Sequence, residues 1–161
     1  MHYTITDISI LLTVATCGVV FFKYEQGRKK KQAGNNEDLV QESLEAMITL
    51  LNPAVVRGWN IIIQYNIAGA GYWHIEIADE KARLRKGRIA RPDLVMMMTS
   101  ETWMSLVSGK LSGEMAYLSG KMKTEGDPEI FLQHEEIFDR KKHIQAFTTE
   151  KATEYHGYNN E

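Results

Sequence analysis

The stretch RPDLVMMMTSETWMSLVSGKLSGEMAYLSGKMKTEGD, from Arg91 to Asp127, decides the fold. Asp93 to Thr99 is a strand with apolar residues on both sides, Leu94, Met96 and Met98 on one and Val95 and Met97 on the other. Two readings of the second set stand. The strand is central and buried on both faces, or one face meets a ligand, a partner or a membrane surface. Ser100 is a candidate N-cap for a helix that sets Trp103, Leu106 and Val107 on one face and stops near Gly109. Ser112 and Gly113 open a shorter helix holding Met115, Ala116, Tyr117 and Leu118. Lys121 to Glu125 is a short strand with Met122 inward.

Downstream, Asp127 caps a helix with Pro128 at its first position, where the missing N–H costs nothing. Its apolar face holds Ile130, Phe131, His134, Ile137 and Phe138, and the pattern extends through Ile144 and Phe147. Upstream, Trp59 to Ile67 alternates, with Trp59, Ile61, Ile63, Tyr65 and Ile67 facing one way and Asn60, Gln64 and Asn66 the other. Ala68-Gly69-Ala70-Gly71 turns the chain into a second alternating run, Tyr72 to Ala78, which makes a hairpin. Ala82 to Arg88 is a polar third strand. Before the hairpin, Glu37 to Asn52 carries Leu39, Val40, Leu44, Met47, Ile48 and Leu51 at helical spacing, and Pro53 ends or restarts that helix. Helix, four strands, two short helices, strand and helix make an α+β fold.

The N-terminus is of another kind. Ile8 to Phe22 (ISILLTVATCGVVFF) has no charge, and extending it back to Ile5 gives 18 residues interrupted only by Asp7. As a helix it would span roughly 27 Å, close to the ~30 Å of a bilayer core. Tyr3 and Tyr24 flank it, and Lys23 and Arg28 to Lys31 follow it. Under the positive-inside rule the basic side faces the cytoplasm. A cleaved signal peptide would have its charges before the apolar stretch; a buried core helix would have one polar face. The expected organisation is a transmembrane anchor over 1–24, a basic linker over 25–36 able to rest on anionic headgroups, a domain over 37–147 and a polar, flexible tail over 148–161.

The 161 residues carry a net charge of −2, which gives no basic excess for nucleic acid. Cys17 is the single cysteine, so neither a disulfide framework nor a multi-thiolate zinc site is available. Gly109-Lys110 and Gly120-Lys121 are followed by Leu111 and Met122 where a phosphate loop needs Ser or Thr. His74 and Glu76 share a strand face as two possible metal ligands without a third, and a solvent-facing polar surface accounts for them. His134 lies on an apolar helix face, as a rim residue or a ligand contact, and His134-Glu135-Glu136 lacks the spacing of a zinc hydrolase. No nucleophile elbow is present. The expectation is a non-catalytic protein with no cofactor and no metal.

The quoted stretch resembles the sterol carrier protein type 2 family. Asp93 opens the apolar strand; Glu101 and Trp103 start the helix. Ser108-Gly109-Lys110-Leu111, the short helix from Met115 to Leu118, Gly120-Lys121-Met122-Lys123 and Gly126-Asp127 follow in the family's order. With the hairpin and leading helix, the likeness spans about Glu37 to Phe138. It implies a five-stranded, mainly antiparallel sheet with helices on one side, enclosing a hydrophobic tunnel. That tunnel would hold a sterol, a fatty acyl chain or a similar apolar molecule. The lining residues expected on this basis are Met96, Met98, Trp103, Leu106, Val107, Leu111, Met115, Leu118, Met122, Ile130, Phe131 and Phe138. Eight methionines suit an adaptable apolar surface. Joined to the anchor, the resemblance implies a tethered lipid-binding or transfer module on the cytoplasmic side. The alternative is an accessory factor presenting a quinone or lipid intermediate to a membrane protein partner.

Overall fold

The computed structural model describes residues 34–150, with side chains to residue 145. The chain divides into two compact units, Met1–Asn35 and Asn36–Glu161, and the fold below is that of the second. The apolar segment expected to anchor the chain, the basic linker to residue 33 and the tail beyond residue 150 lie outside the described residues. Among the described residues no helix is long and apolar enough to cross a membrane.

Residues 34–48 form α1, which buries Val40, Leu44 and Met47, one face at helical spacing. The strands are β1 (Asn60–Ala68), β2 (Gly71–Ala78), β3 (Lys81–Lys86), β4 (Leu94–Thr99) and β5 (Met122–Gly126). The helices are α2 (Ser100–Val107), α3 (Gly113–Leu118), α4 (Pro128–Ile137) and α5 (Arg140–Glu150). One sheet runs in the order β3-β2-β1-β4-β5. Its pairings are antiparallel except β1 with β4, which is parallel. The expected α+β architecture with five strands is therefore present.

One face of the sheet is the core. Ile63, Tyr65 and Ile67, then Trp73, Ile75 and Ile77, then Leu94, Met96 and Met98, and finally Met122 are buried there, at the period of two that a pleated strand dictates. The opposite face departs from the expectation of a solvated polar surface. Gln64 and His74 are buried, because the connection from β3 to β4 crosses beneath them. His74 Nδ1 bonds the carbonyl of Gly87 at 3.0 Å, and Gln64 Oε1 accepts from the Ile89 N–H at 2.9 Å. These polar side chains take up backbone groups that a crossover would otherwise leave unpaired. Val95 and Met97, on that same face, are half-buried.

Several boundaries differ from the sequence reading: α1 covers residues 34–48 and stops short of the expected Asn52, and three differences lie in the later helices. Thr99, not Ser100, caps α2, its hydroxyl accepting from the Thr102 N–H at 3.2 Å. The last helix does not run through Ile144. It ends at Ile137, Phe138 leaves helical geometry and Asp139 takes a φ of +38°. The chain then restarts as α5, which reaches Glu150, three residues into the expected tail. The restart turns Phe138 inward, where it is 1% exposed, and Asp139 is held by Lys142 at 2.7 Å.

Asp93 ties the corner where β4 starts and β5 ends. Its N–H donates to the Ile62 carbonyl at 2.9 Å, its carboxylate accepts from the Ile62 N–H at 2.7 Å, and its carbonyl accepts from the Asp127 N–H at 2.8 Å. That carbonyl occupies the place a Cβ on residue 126 would take, and Gly126 has a φ of +112°. Only glycine meets both conditions. Gly126→Ala is expected to lower stability by ~3 kcal/mol or more, read as a shift in the urea midpoint at unchanged slope; an unshifted midpoint would contradict the contact.

Candidate functional site

A cavity of about 570 Å³ lies between the core face of the sheet and the helices, within the ~300–1,000 Å³ typical of small-molecule sites. Met96 of β4 and Met122 of β5 form its floor; Trp103, Leu106 and Val107 of α2, Leu118 of α3, and Phe131 and Phe138, along α4 and at its end, form its walls. These eight are among the twelve expected lining residues. The other four are elsewhere. Met98 and Ile130 are buried in the core, and Leu111 is half-buried against it. Met115 is 55% exposed, because α3 turns Ala116 inward instead.

The cavity also takes residues that periodicity did not assign to it. Met47 arrives from α1, Tyr117 from α3 and Leu132 from α4. At its mouth Leu118 is 69% and Leu132 78% exposed, large apolar side chains left in water at the entrance to an apolar space. Tyr117 packs on Phe131 with ring centroids 5.3 Å apart.

Part of the lining is polar. His134 lines it, and His134 Nε2 is 2.8 Å from the hydroxyl of Tyr65, a β1 side chain buried beneath the helices. The ring of Trp103 meets Tyr65 edge-on at 5.5 Å, and Phe138 packs on His134 at 5.3 Å. His143 of α5 bonds the Ser43 carbonyl at 3.1 Å, while the Trp103 indole N–H donates to the Ser43 hydroxyl at 2.7 Å. One residue of α1, Ser43, thus holds both α2 and α5. Arg140 also reaches the cavity; its guanidinium lies 3.3 Å from the Glu135 carboxylate and donates to the Leu111 carbonyl at 2.8 Å.

Burial sets the protonation of this part. Desolvation, with smaller contributions from the nearby His143 and Arg140, brings His134 from 6.5 down to about 4. Desolvation also lowers His143, against the raising effect of its bond to Ser43. Burial raises Tyr65, which stays a neutral phenol. Both imidazoles are therefore uncharged at neutral pH. Among the described residues no group of three or more His, Cys, Asp or Glu could hold a metal ion. His74 and Glu76 lie on the far face of the sheet, 3.7 Å apart.

The sequence profile of the SCP-2 sterol transfer family matches residues 44–139. Hydroxysteroid dehydrogenase-like protein 2 of Xenopus laevis is 30% identical over 112 residues, 68% of this chain and 27% of that protein. The chain thus spans about a quarter of the length of that relative. Among solved structures, sterol carrier protein 2 like 2 of Aedes aegypti superposes with a TM-score of 0.54 at 20% identity, over 63% of this chain and 95% of that one. A solution structure of palmitated SCP2L2 from the same organism gives 0.51 at 22% identity, over 62% and 90%.

The histidine has a consequence for stability. As pH falls below 6.5 the unfolded chain protonates residue 134, while the folded chain resists until about 4. The contribution is complete above 6.5 and is lost between 6.5 and 4, about 3 kcal/mol in all. His134→Gln, which keeps a partner for Tyr65, is expected to flatten the acid limb of a stability–pH curve by about that amount. An equally steep limb in the variant would show that His134 is not its source.

Proposed function

The chain belongs to the SCP-2 sterol transfer family, and from that premise we propose that it is a non-catalytic module that takes an apolar lipid into the cavity between sheet and helices. The cavity carries this reading. It is walled by methionine, leucine and aromatic side chains, and its mouth leaves Leu118 and Leu132 in water. Binding would come from burial, at about 25 cal/mol per Å² of apolar area. That the Aedes aegypti SCP2L2 has been described in palmitated form supports a lipid as the ligand class.

The apolar segment Ile8–Phe22 and the basic run Arg28–Lys31 support a tether that keeps the module on the cytoplasmic face of its membrane. A tethered module lifts a lipid from its own bilayer and passes it to a neighbour. Sodium carbonate should leave the full chain in the membrane fraction; release into the supernatant would remove the tether from the proposal. A stable protein partner recovered in mild detergent would point to presentation of the lipid to an enzyme complex.

Native mass spectrometry of the purified full chain is expected to show co-purified lipid, and a fluorescent fatty acid or sterol should bind. Leu132→Glu, a charge at an exposed position, is expected to slow uptake several-fold with little change in stability, as surface substitutions cost within about 0.5 kcal/mol. No co-purified lipid together with no uptake of either probe would overturn the reading.

A further inference from the structure

Charge is unevenly spread over this domain. The whole chain has a net charge of −2, yet Lys81 to Arg91 (KARLRKGRIAR) holds six of its 19 lysines and arginines and no carboxylate. β3 supplies Lys81, Arg83, Arg85 and Lys86, the connection to β4 supplies Arg88 and Arg91, and all six are exposed. β3 is an edge strand, paired only with β2. Its register sets Lys81, Arg83 and Arg85 opposite Ala78, Glu76 and His74, so these three stand on the face of the sheet away from the helices. Arg88, over the ring of Tyr72 at 4.0 Å, continues the surface along the crossover.

Local carboxylates do not cancel this charge. Glu76 faces Arg85 at 3.2 Å, Glu37 of α1 pairs with Lys86, and Glu80 faces Arg57 at 3.6 Å. Asp79, in the turn before β3, is the remaining carboxylate between residues 76 and 91. Lys81, Arg83, Arg88 and Arg91 have no ion pair among the described residues. A charged side chain or two on an edge strand keeps it from pairing with another chain; a cationic surface that runs off the strand onto the crossover exceeds that need. The cavity side has the opposite character. α4 carries Glu129, Glu135 and Glu136 and no lysine or arginine. β3 and β5, whose Met122 floors the cavity, are the two ends of the sheet, four strand spacings or about 19 Å apart.

The chain itself indicates what the cationic surface meets. The Glu37–Lys86 pair fixes the first turn of α1 beside the end of β3. Arg28–Lys31 ends three residues before residue 34, where α1 starts, and the apolar segment ends at Phe22, twelve residues before it, a reach of at most about 40 Å. We propose that β3 and the crossover behind it are a docking surface for an anionic bilayer, the one in which the apolar segment is held. This rests on the proposed tether and not on what the cavity holds. A layer of anionic headgroups meets four unpaired cations, each favouring the docked state about fivefold, while the glutamates of α4 are kept on the other side of the sheet. Docking through this surface leaves the helix side, with Leu118 and Leu132, uncovered for exchange with a neighbour.

Lysine footprinting locates the contact. The full 161-residue chain is reconstituted into phosphatidylcholine vesicles with and without phosphatidylserine. Its lysines are acetylated with acetic anhydride, a neutral reagent, and read by peptide mass spectrometry. Lys81 is expected to react about fivefold more slowly when phosphatidylserine is present, and the exposed Lys121, just before β5, at an unchanged rate. Sodium chloride at about 1 M, where the screening length falls to about 3 Å, should abolish the difference. Arg83→Gln/Arg91→Gln should abolish most of it at an unchanged urea midpoint, since two such cations together are worth about 25-fold. Lys81 equally reactive on both vesicles, or Lys81 and Lys121 slowed together, would overturn the docking surface, as would a variant protected as well as the wild type. Polyglutamate that protects Lys81 where phosphatidylserine does not would replace the bilayer with an acidic protein partner. Carbonate extraction of the same vesicles reports the tether separately. A chain released by carbonate yet protected at Lys81 loses the tether and keeps the docking surface; a retained chain without protection keeps the tether and loses the docking surface.

Discussion

The backbone of Asp93 against Gly126 is the contact on which the rest of this domain depends. A carbonyl oxygen sits where any side chain at 126 would have to be, so β4 and β5 come together at their ends more closely than side chains allow. The same carbonyl accepts from the Asp127 N–H, which fixes the entry to α4. Asp127 then caps that helix through the Glu129 N–H at 2.8 Å, with Pro128 in its first turn. Because α4 starts there and not a residue later, its helical spacing delivers Phe131 and His134 to the cavity, with Phe138 at its end. The Asp93 carboxylate on the Ile62 N–H holds β1 beside β4 at the same corner. One residue thus sets a parallel pairing, a strand end and the direction of the helix that walls the site.

The parallel pairing has its own consequence. Two neighbouring parallel strands cannot be joined by a hairpin, so the chain must carry the connection between β3 and β4 across the sheet. It runs over the face away from the helices, and Gln64 and His74 receive its backbone groups there. The polar residues on that face are structural for this reason. His74, which the sequence paired with Glu76 on a solvated polar surface, instead helps to hold a crossover. Space for a ligand is left on the helix side.

Most of the architecture was legible because it is written in period. Alternation gave β1 and β2, Asp127-Pro128 gave the start of α4, and Asp93, Gly109 and Gly126 carried the family likeness. The lining of the cavity was less legible, for a physical reason. Hydrophobic spacing tells which residues avoid water, not whether the space they face is filled. Met98, Ile130 and Met96 look alike in sequence, and only Met96 borders empty volume. A six-residue helix has too little length to fix its phase, so Met115 was expected inside where Ala116 is. The break at Asp139 had neither glycine nor proline to mark it. Its signal was an acidic residue three positions before Lys142, whose N–H the Asp139 carboxylate accepts at 3.4 Å, and that pattern is common on helix surfaces.

His134 shows where local reasoning stops. On α4 alone it is a histidine on an apolar face, more often a satisfied core or rim residue than a ligand contact. Its partner Tyr65 lies 69 positions away on a strand whose alternation marks it as core. Neither residue is unusual by itself; together they place a neutral hydrogen-bonding pair on the wall of an apolar cavity. A satisfied pair of this kind returns only about 1 kcal/mol net, and a pair of apolar side chains of similar size could replace it at little cost. Elsewhere on its lining Leu118 and Leu132 stand in water, which also opposes folding. A wet apolar rim and a partly buried polar pair are two places where this domain departs from the rules that shape the remainder of its core, and both border the same cavity.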